Sequence, residues 1–199
     1  MTSVTDTSTF DATIVKRIDT MPAPVSFDIE PAKKSKEGLN LELHTIAELL
    51  QGPGLLKRCY VKPNIPSFGA FEMHSDEGTL IGGADLAPAP LSYLAAGIAF
   101  CLLTHLKGYA DSQGLDISSI RVEQKMKFQS RIPGMTADMG GQMEGHSNGL
   151  ETFVLIETQE SDEAIARMSD IAERACMAAQ TVVNAVPASM IITINGRQI

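Results

Sequence analysis

Two cysteines in apolar segments of helical spacing carry the chemistry this chain could perform. Cys101 lies within 82–109, where a loop rich in Gly and Pro (Gly82, Gly83, Pro88, Pro90) runs into the apolar stretch 91–106. Cys176 lies in a later run of small residues, beside Ala175, Ala178 and Ala179. Leu91, Leu94, Ile98, Cys101 or Leu102, and His105 recur at three- and four-residue steps, and so do Ile165, Met168, Ala172, Cys176, Ala179 and Val183. Each set defines one apolar helix face with a cysteine on it or at its edge. If the two faces meet, the sulfurs come close together. Such thiols are either small hydrophobes of a core or a working pair, in which one thiolate is the nucleophile and a positive neighbour stabilises it. His105, one turn beyond Cys101, is either that neighbour or a hydrogen-bonded core residue.

Other reactive residues are less organised. Cys59 stands in the strand-like run 57–62 next to Lys57 and Arg58, cations that favour a thiolate; the alternative is a structural strand cysteine. Asp138, Glu144 and His146 are scattered without the spacing of a metal site, so no metal is expected there. Met135, Met139 and Met143, at four-residue steps, fit core filling or a groove lining.

Composition narrows the classes. With 199 residues and 44% hydrophobic content the chain suits one domain, or one domain with an extension. A net charge of −8 repels a phosphate backbone, so a nucleic-acid role is not expected. Three widely spaced cysteines form no disulfide framework, which points to a reducing, cytoplasmic compartment. The N-terminal residues lack the pattern of a secretory signal. The run 91–106 is shorter than the roughly 18–20 residues of a membrane span and contains Thr104 and His105; it reads as a core helix, with no membrane role.

The elements that must position these residues follow from periodicity and breakers. Residues 1 to about 10 read as frayed, and 11–40, interrupted by Pro22, Pro24 and Pro31, as an extension with little core. The spacing predicts a helix over 41–50, stopped at Gly52-Pro53-Gly54. Strands are predicted at 57–62, 70–74, 117–129, 150–158 and 190–195, and a turn at 78–83. A long helix is predicted from 85 to about 113, with Gly114 as its stop. A second, capped by Ser161, is predicted to run to about 185. The stretch 131–148 is ambiguous. This order gives an α+β fold, two central helices on mostly antiparallel sheet, with 1–54 as a partly disordered extension and 55–199 as the domain.

The motif Gly82-Gly83-Ala84-Asp85, followed by Ala87-Pro88-Ala89-Pro90-Leu91 and 95–101, resembles the OsmC/Ohr family of osmotically induced and organic hydroperoxide resistance proteins. The order of elements from about Leu55 to Ile199 is similar to that family's as well. The resemblance implies an OsmC-like, intertwined homodimer and a cysteine-based peroxidase reducing organic hydroperoxides. In that role Cys101 matches the peroxidatic cysteine, which becomes a sulfenic acid. Cys176 matches the resolving cysteine that closes a disulfide with it, and a dithiol reductant reopens the bond. Arg58 falls roughly where the family's activating arginine does. No metal or organic cofactor is implied. The chain departs from the pattern at Leu91, where a Glu orienting that arginine is expected and Asp85 is the nearest substitute, and at Met177, where a Pro often follows the second cysteine. A non-catalytic protein that binds a small lipophilic ligand on the same fold is the alternative; the missing Glu favours it and the retained cysteine pair opposes it.

Overall fold

The computed structural model describes residues 13–52, 54–131 and 143–198, which fold as α+β with three helices and antiparallel sheets. Residues 1 to about 10, read above as frayed, and Pro53, Met135, Asp138 and Met139 lie outside the described residues. The chain divides into two compact units, Met1–Ser92 with Arg131–Glu144, and Tyr93–Ser130 with Gly145–Ile199.

The first unit is built on a four-stranded sheet in the order β1-β6-β5-β4 (β1 Val15–Ile18, β4 Leu43–Leu49, β5 Lys57–Pro63, β6 Ala70–Ser75), antiparallel throughout. A short hairpin, β2 Lys34–Ser35 with β3 Gly38–Leu39, precedes β4. The helix expected over 41–50 is therefore corrected to a strand. Seven residues of β4 pair with β5, from Leu43↔Pro63 to Leu49↔Lys57. Alternation decides the outcome: His44 is buried and Ile46 half-buried, while Leu43, Thr45 and Ala47 face outward. A sheet edge supplied by β5 outweighs the weak helical preference of Leu, Glu and Ala. Residues expected to form an extension with little core thus contribute two of the four strands.

After β6 the chain is gripped by one carboxylate. Asp76, fully buried, accepts the backbone N–H groups of Glu77 at 2.8 Å, Ala84 at 3.0 Å and Leu86 at 3.2 Å. The loop between closes on itself, with Gly83 N–H donating to the Gly78 carbonyl (3.2 Å) and Asp85 N–H to the Glu77 carbonyl (3.1 Å). A Cβ on Gly83 would lie 1.8 Å from the Glu77 carbonyl oxygen, so only glycine fits. Asp85 itself takes the left-handed conformation, φ 54°, which aspartate tolerates better than most residues. Burial works to raise the Asp76 pKa, yet the three backbone donors and the charge of Lys57 together hold it below the ordinary carboxylate value.

Helix α1, Pro90–Gln113, starts just beyond this loop. Pro90 is its first residue, where the missing N–H costs nothing; the helix therefore begins five residues later than 85. It ends in a Schellman arrangement, with Gly114 at φ 66° and the Leu115 and Gly114 N–H groups bonded to the carbonyls of Ala110 (3.0 Å) and Asp111 (3.3 Å). By length and composition alone α1 is long and apolar enough to cross a membrane, so the shortness of 91–106 does not settle that question.

The second unit packs α1 from Tyr93 onward, α2 (Asp162–Ala175) and α3 (Met177–Val183) against the hairpin of β7 (Ile117–Arg131) and β8 (Glu144–Thr158). Its core is Leu102, Leu106, Ala110, Met168, Ala172 and Cys176, with Ile120, Val122, Val154 and Ile156 of the hairpin packed on it. Strict alternation of half-buried and exposed residues from Ile120 to Lys127 turns one face of β7 inward. Ser161 caps α2 by accepting the Ala164 N–H at 3.3 Å. The second helix expected to run unbroken to about 185 is instead broken at Cys176. The last strand is shorter than 190–195: β9 (Thr193–Ile194) turns through Asn195 (φ 50°) and Gly196 (φ 78°) into β10 (Arg197–Gln198), as an Asn-Gly hairpin turn requires.

Replacing Asp76 by Asn is expected to destabilise the fold by about 2–3 kcal/mol at neutral pH, the scale of charged hydrogen bonds lost from a buried site. Because its pKa is depressed on folding, the wild-type contribution is present above the ordinary value near pH 4 and disappears as pH falls through the folded value. Urea unfolding at neutral pH and near pH 3 checks this: the gap between wild type and Asp76→Asn should narrow in acid. Gly83→Ala is expected to cost more than Asp76→Asn in the same titration.

Candidate active site

Cys176 occupies the break between α2 and α3, with φ −71° and ψ 92°. That extended conformation ends one helix and starts the next: its N–H reaches the Glu173 carbonyl at 3.3 Å and its own carbonyl accepts the Gln180 N–H at 2.9 Å. The side chain is fully buried. Its thiol faces the Ile98 carbonyl of α1 at 3.9 Å, a long, weak contact, and is within hydrogen-bonding reach of Cys101. Burial pushes the Cys176 pKa up. The N–H groups of Ala179 and Ala178 oppose this, while hydrogen bonding to Cys101 and the charge of a Cys101 thiolate add to it. Folding therefore keeps the proton on Cys176.

Cys101 is half-buried at the edge of the core formed by Leu102, Leu106, Met168 and Ala172. The structure thus brings together the two cysteines that the helix faces place on apolar stripes, and both are free thiols. The stripes differ in detail. Ile98, Leu102, Leu106 and Ala110 are the buried residues of α1, whereas Leu91 and Leu94 are 49% and 39% exposed, and Val183 is 63% exposed. His105 is half-buried on the turn after Cys101.

Arg58 stands in the first unit, on β5, between Glu48 of β4 and Glu72-flanked Tyr60. Its Nε donates to Glu48 Oε1 at 2.8 Å, with Nη2 on the same oxygen, and its guanidinium lies 5.3 Å from the Tyr60 ring centre. The bond to Glu48 raises its pKa further, so it is a permanent cation. Glu48 is the acidic partner that sequence reasoning missed; the antiparallel register Glu48↔Arg58 supplies it, and a stretch read as helix concealed that register. Cys59, half-buried beside it, has its pKa raised by burial alone, which favours the structural strand cysteine over the thiolate. Leu91 and Asp85 are exposed. Met143, Glu144 and His146 are exposed at the start of β8. Among the described residues no cluster of His, Cys, Asp and Glu is placed to hold a metal.

A cavity of about 380 Å³ lies within the second unit, between the inner face of the hairpin and the helices. Ile98, Leu102, Met126, Val154 and Ala179 make it apolar, and Gln124, Thr152 and Ser169 add polar groups. Ile98 and Ala179 belong both to this cavity and to the surroundings of Cys176. The arrangement offers two neighbouring thiols at one core cluster, one of them partly accessible, beside an apolar chamber.

Residues 82–190 match the family of the OsmC-like protein. Among solved structures, the chain is similar to an OsmC-like hydroperoxide resistance protein from Jannaschia sp. CCS1, at 19% identity over 80% of this chain and 97% of that one, with a TM-score of 0.51. It is also similar to an OsmC-like protein from Mycoplasma pneumoniae (16% identity, 71% and 87% covered, TM-score 0.49). A third likeness is to an organic hydroperoxide resistance protein from Legionella pneumophila (16%, 70% and 88%, 0.46). No curated protein sequence matches the chain.

The raised Cys176 pKa makes reduced-protein stability fall with alkali. A group that ionises less readily when folded supports the fold below the unfolded thiol value, about pH 8.5, and withdraws that support as pH rises through the folded value. Cys59 acts in the same direction. In a Cys59→Ser background, stability should fall between pH 8.5 and 10 by up to about 1.4 kcal/mol per pH unit. Urea midpoints across that range check this, and Cys176→Ala should flatten the slope.

Proposed function

The chain belongs to the OsmC-like family, and from that premise we propose that it is a cysteine-based peroxidase reducing organic hydroperoxides in a reducing, cytoplasmic compartment. The observation that carries this reading is the proximity of Cys101 and Cys176 at one core cluster inside one unit. Cys101 is the nucleophile. Its thiolate attacks the peroxide oxygen, the O–O bond breaks, and the alkoxide leaves as the alcohol once protonated, with Cys101 as a sulfenic acid. The Cys176 sulfur then attacks Cys101, releases water and closes a disulfide. A dithiol reductant restores both thiols. Burial of Cys176 divides the labour: Cys101, the more accessible sulfur, meets the peroxide, and the second sulfur waits until the first is oxidised. The neighbouring apolar cavity suits the alkyl portion of a hydroperoxide better than it suits hydrogen peroxide.

Arg58 is the proposed activating cation, with Glu48 serving where Leu91 leaves no carboxylate. A homodimer is the proposed assembly. Large apolar side chains such as Leu91, Phe100, Phe153, Val183 and Ile191 are 49–72% exposed, and only 17% of the apolar window of α1 is buried. Surface of that kind is what association covers. The alternative reading, a binder of a small lipophilic molecule, is favoured by the cavity and by Leu91.

Stopped-flow mixing of reduced protein with an alkyl hydroperoxide tests the proposal. Wild type should lose two thiols per chain; Cys101→Ser should consume no peroxide, and Cys176→Ser should complete one turnover and stop as a sulfenic acid. Equal consumption by wild type and Cys101→Ser would leave only the binding reading. Sedimentation at micromolar concentration should give a dimer, and a monomer would count against the assembly.

A further inference from the structure

We propose that the Cys101–Cys176 disulfide is opened by attack of a thiolate on the sulfur of Cys101, with Cys176 as the leaving sulfur. The inference rests on the reading of the two cysteines as a redox pair, and adds which end of the bond the reductant meets. Thiol–disulfide exchange is an in-line displacement, so the attacking sulfur approaches from the side opposite the leaving one, and access to each sulfur decides the outcome.

The two ends differ. Cys176 is fully buried and shares the core with Leu102, Met168 and Ala172. A thiolate arriving behind its sulfur would have to enter that packed cluster, where an ion is strongly disfavoured. Cys101 lies at the edge of the cluster and is partly accessible.

The step balances. The reductant thiolate bonds to Cys101, the S–S electron pair moves to Cys176, and Cys176 takes up a proton. A second thiolate of the reductant then attacks the reductant's own sulfur, releasing Cys101 as a thiolate and the reductant as its disulfide. By microscopic reversibility, a small disulfide offered to the reduced protein reacts first with Cys101.

The test uses the full chain in a Cys59→Ser background. The disulfide is closed with diamide, pulsed with glutathione, quenched in acid and mapped by peptide mass spectrometry; glutathione should sit on Cys101 in at least about ten-fold excess over Cys176. In parallel, the reduced Cys176→Ser and Cys101→Ser forms are treated with dithionitrobenzoate. The form keeping Cys101 should react about ten-fold faster or more, and guanidinium should abolish the difference. Glutathione on Cys176, equal rates in the folded proteins, or failure of diamide to close the bond would overturn the proposal. Glutathione on Cys101 in a protein that ignores hydroperoxide would keep it and remove the peroxidase reading instead.

Discussion

One buried carboxylate governs how the chain passes from sheet to helix. Asp76 leaves β6 and at once engages the backbone at Glu77, Ala84 and Leu86. A loop of this length has many conformations of similar energy, and three charge-assisted bonds to one fixed acceptor select a single one. The selection has costs that the sequence displays: a glycine at 83 where no Cβ fits, and a left-handed Asp85. With the loop fixed, Pro90 begins α1 at a fixed residue, and the position of Cys101 on the helix follows from the helical repeat. The Gly-Gly-Ala-Asp motif is therefore the imprint of a backbone clamp.

The second constraint is the break at Cys176. A continuous helix would leave this thiol as one more small apolar group on a stripe. At the junction, its backbone serves both helices, and its sulfur lies near the Ile98 carbonyl, the N–H groups of Ala178 and Ala179, and Cys101. Desolvation is the larger effect and keeps the thiol neutral, while the two N–H groups remain available to a sulfur that gains charge. The same residue thus contributes to the core in the reduced protein and has partners prepared for a change of state. Cys101, less buried, has the complementary position.

Much of this was legible in the sequence because the signals were local and mutually consistent. β5 and β6 appear within one residue of the runs 57–62 and 70–74, and α1 ends at Gln113 as Gly114 demands. Helical spacing placed each cysteine on or beside an apolar face, and left open whether those faces meet. What escaped were features that depend on partners distant in sequence. The segment 41–50 satisfies a helical pattern and an alternating one equally, and only the presence of β5 alongside resolves it. Glu48 stayed hidden for the same reason. Asp76 carries no local sign of burial, since a single acidic residue before a glycine-rich turn reads as an exposed one. The break at Cys176 is invisible in a run of Ala, Met and Gln, all good helix formers, because tertiary contacts of the thiol impose it against propensity.

The exposed apolar residues bring the sequence and the structure to one physical point. A core of Leu, Ile, Val, Ala and Met without Trp gains stability from many modest side chains, and each must be covered to contribute. In the second unit only six residues form the closed cluster, while Phe100, Phe153, Leu155 and Val183 remain 47–67% exposed. Scattered singly, such residues would need no explanation. Here they stand on α1, β8 and α3, the elements that also surround the cysteine pair. Whatever covers them in solution also sets the local dielectric, and a drier setting strengthens every charge interaction made there. The uncovered apolar side chains and the two sulfurs thus belong to the same elements of the second unit, so any change in what covers the first alters the surroundings of the second.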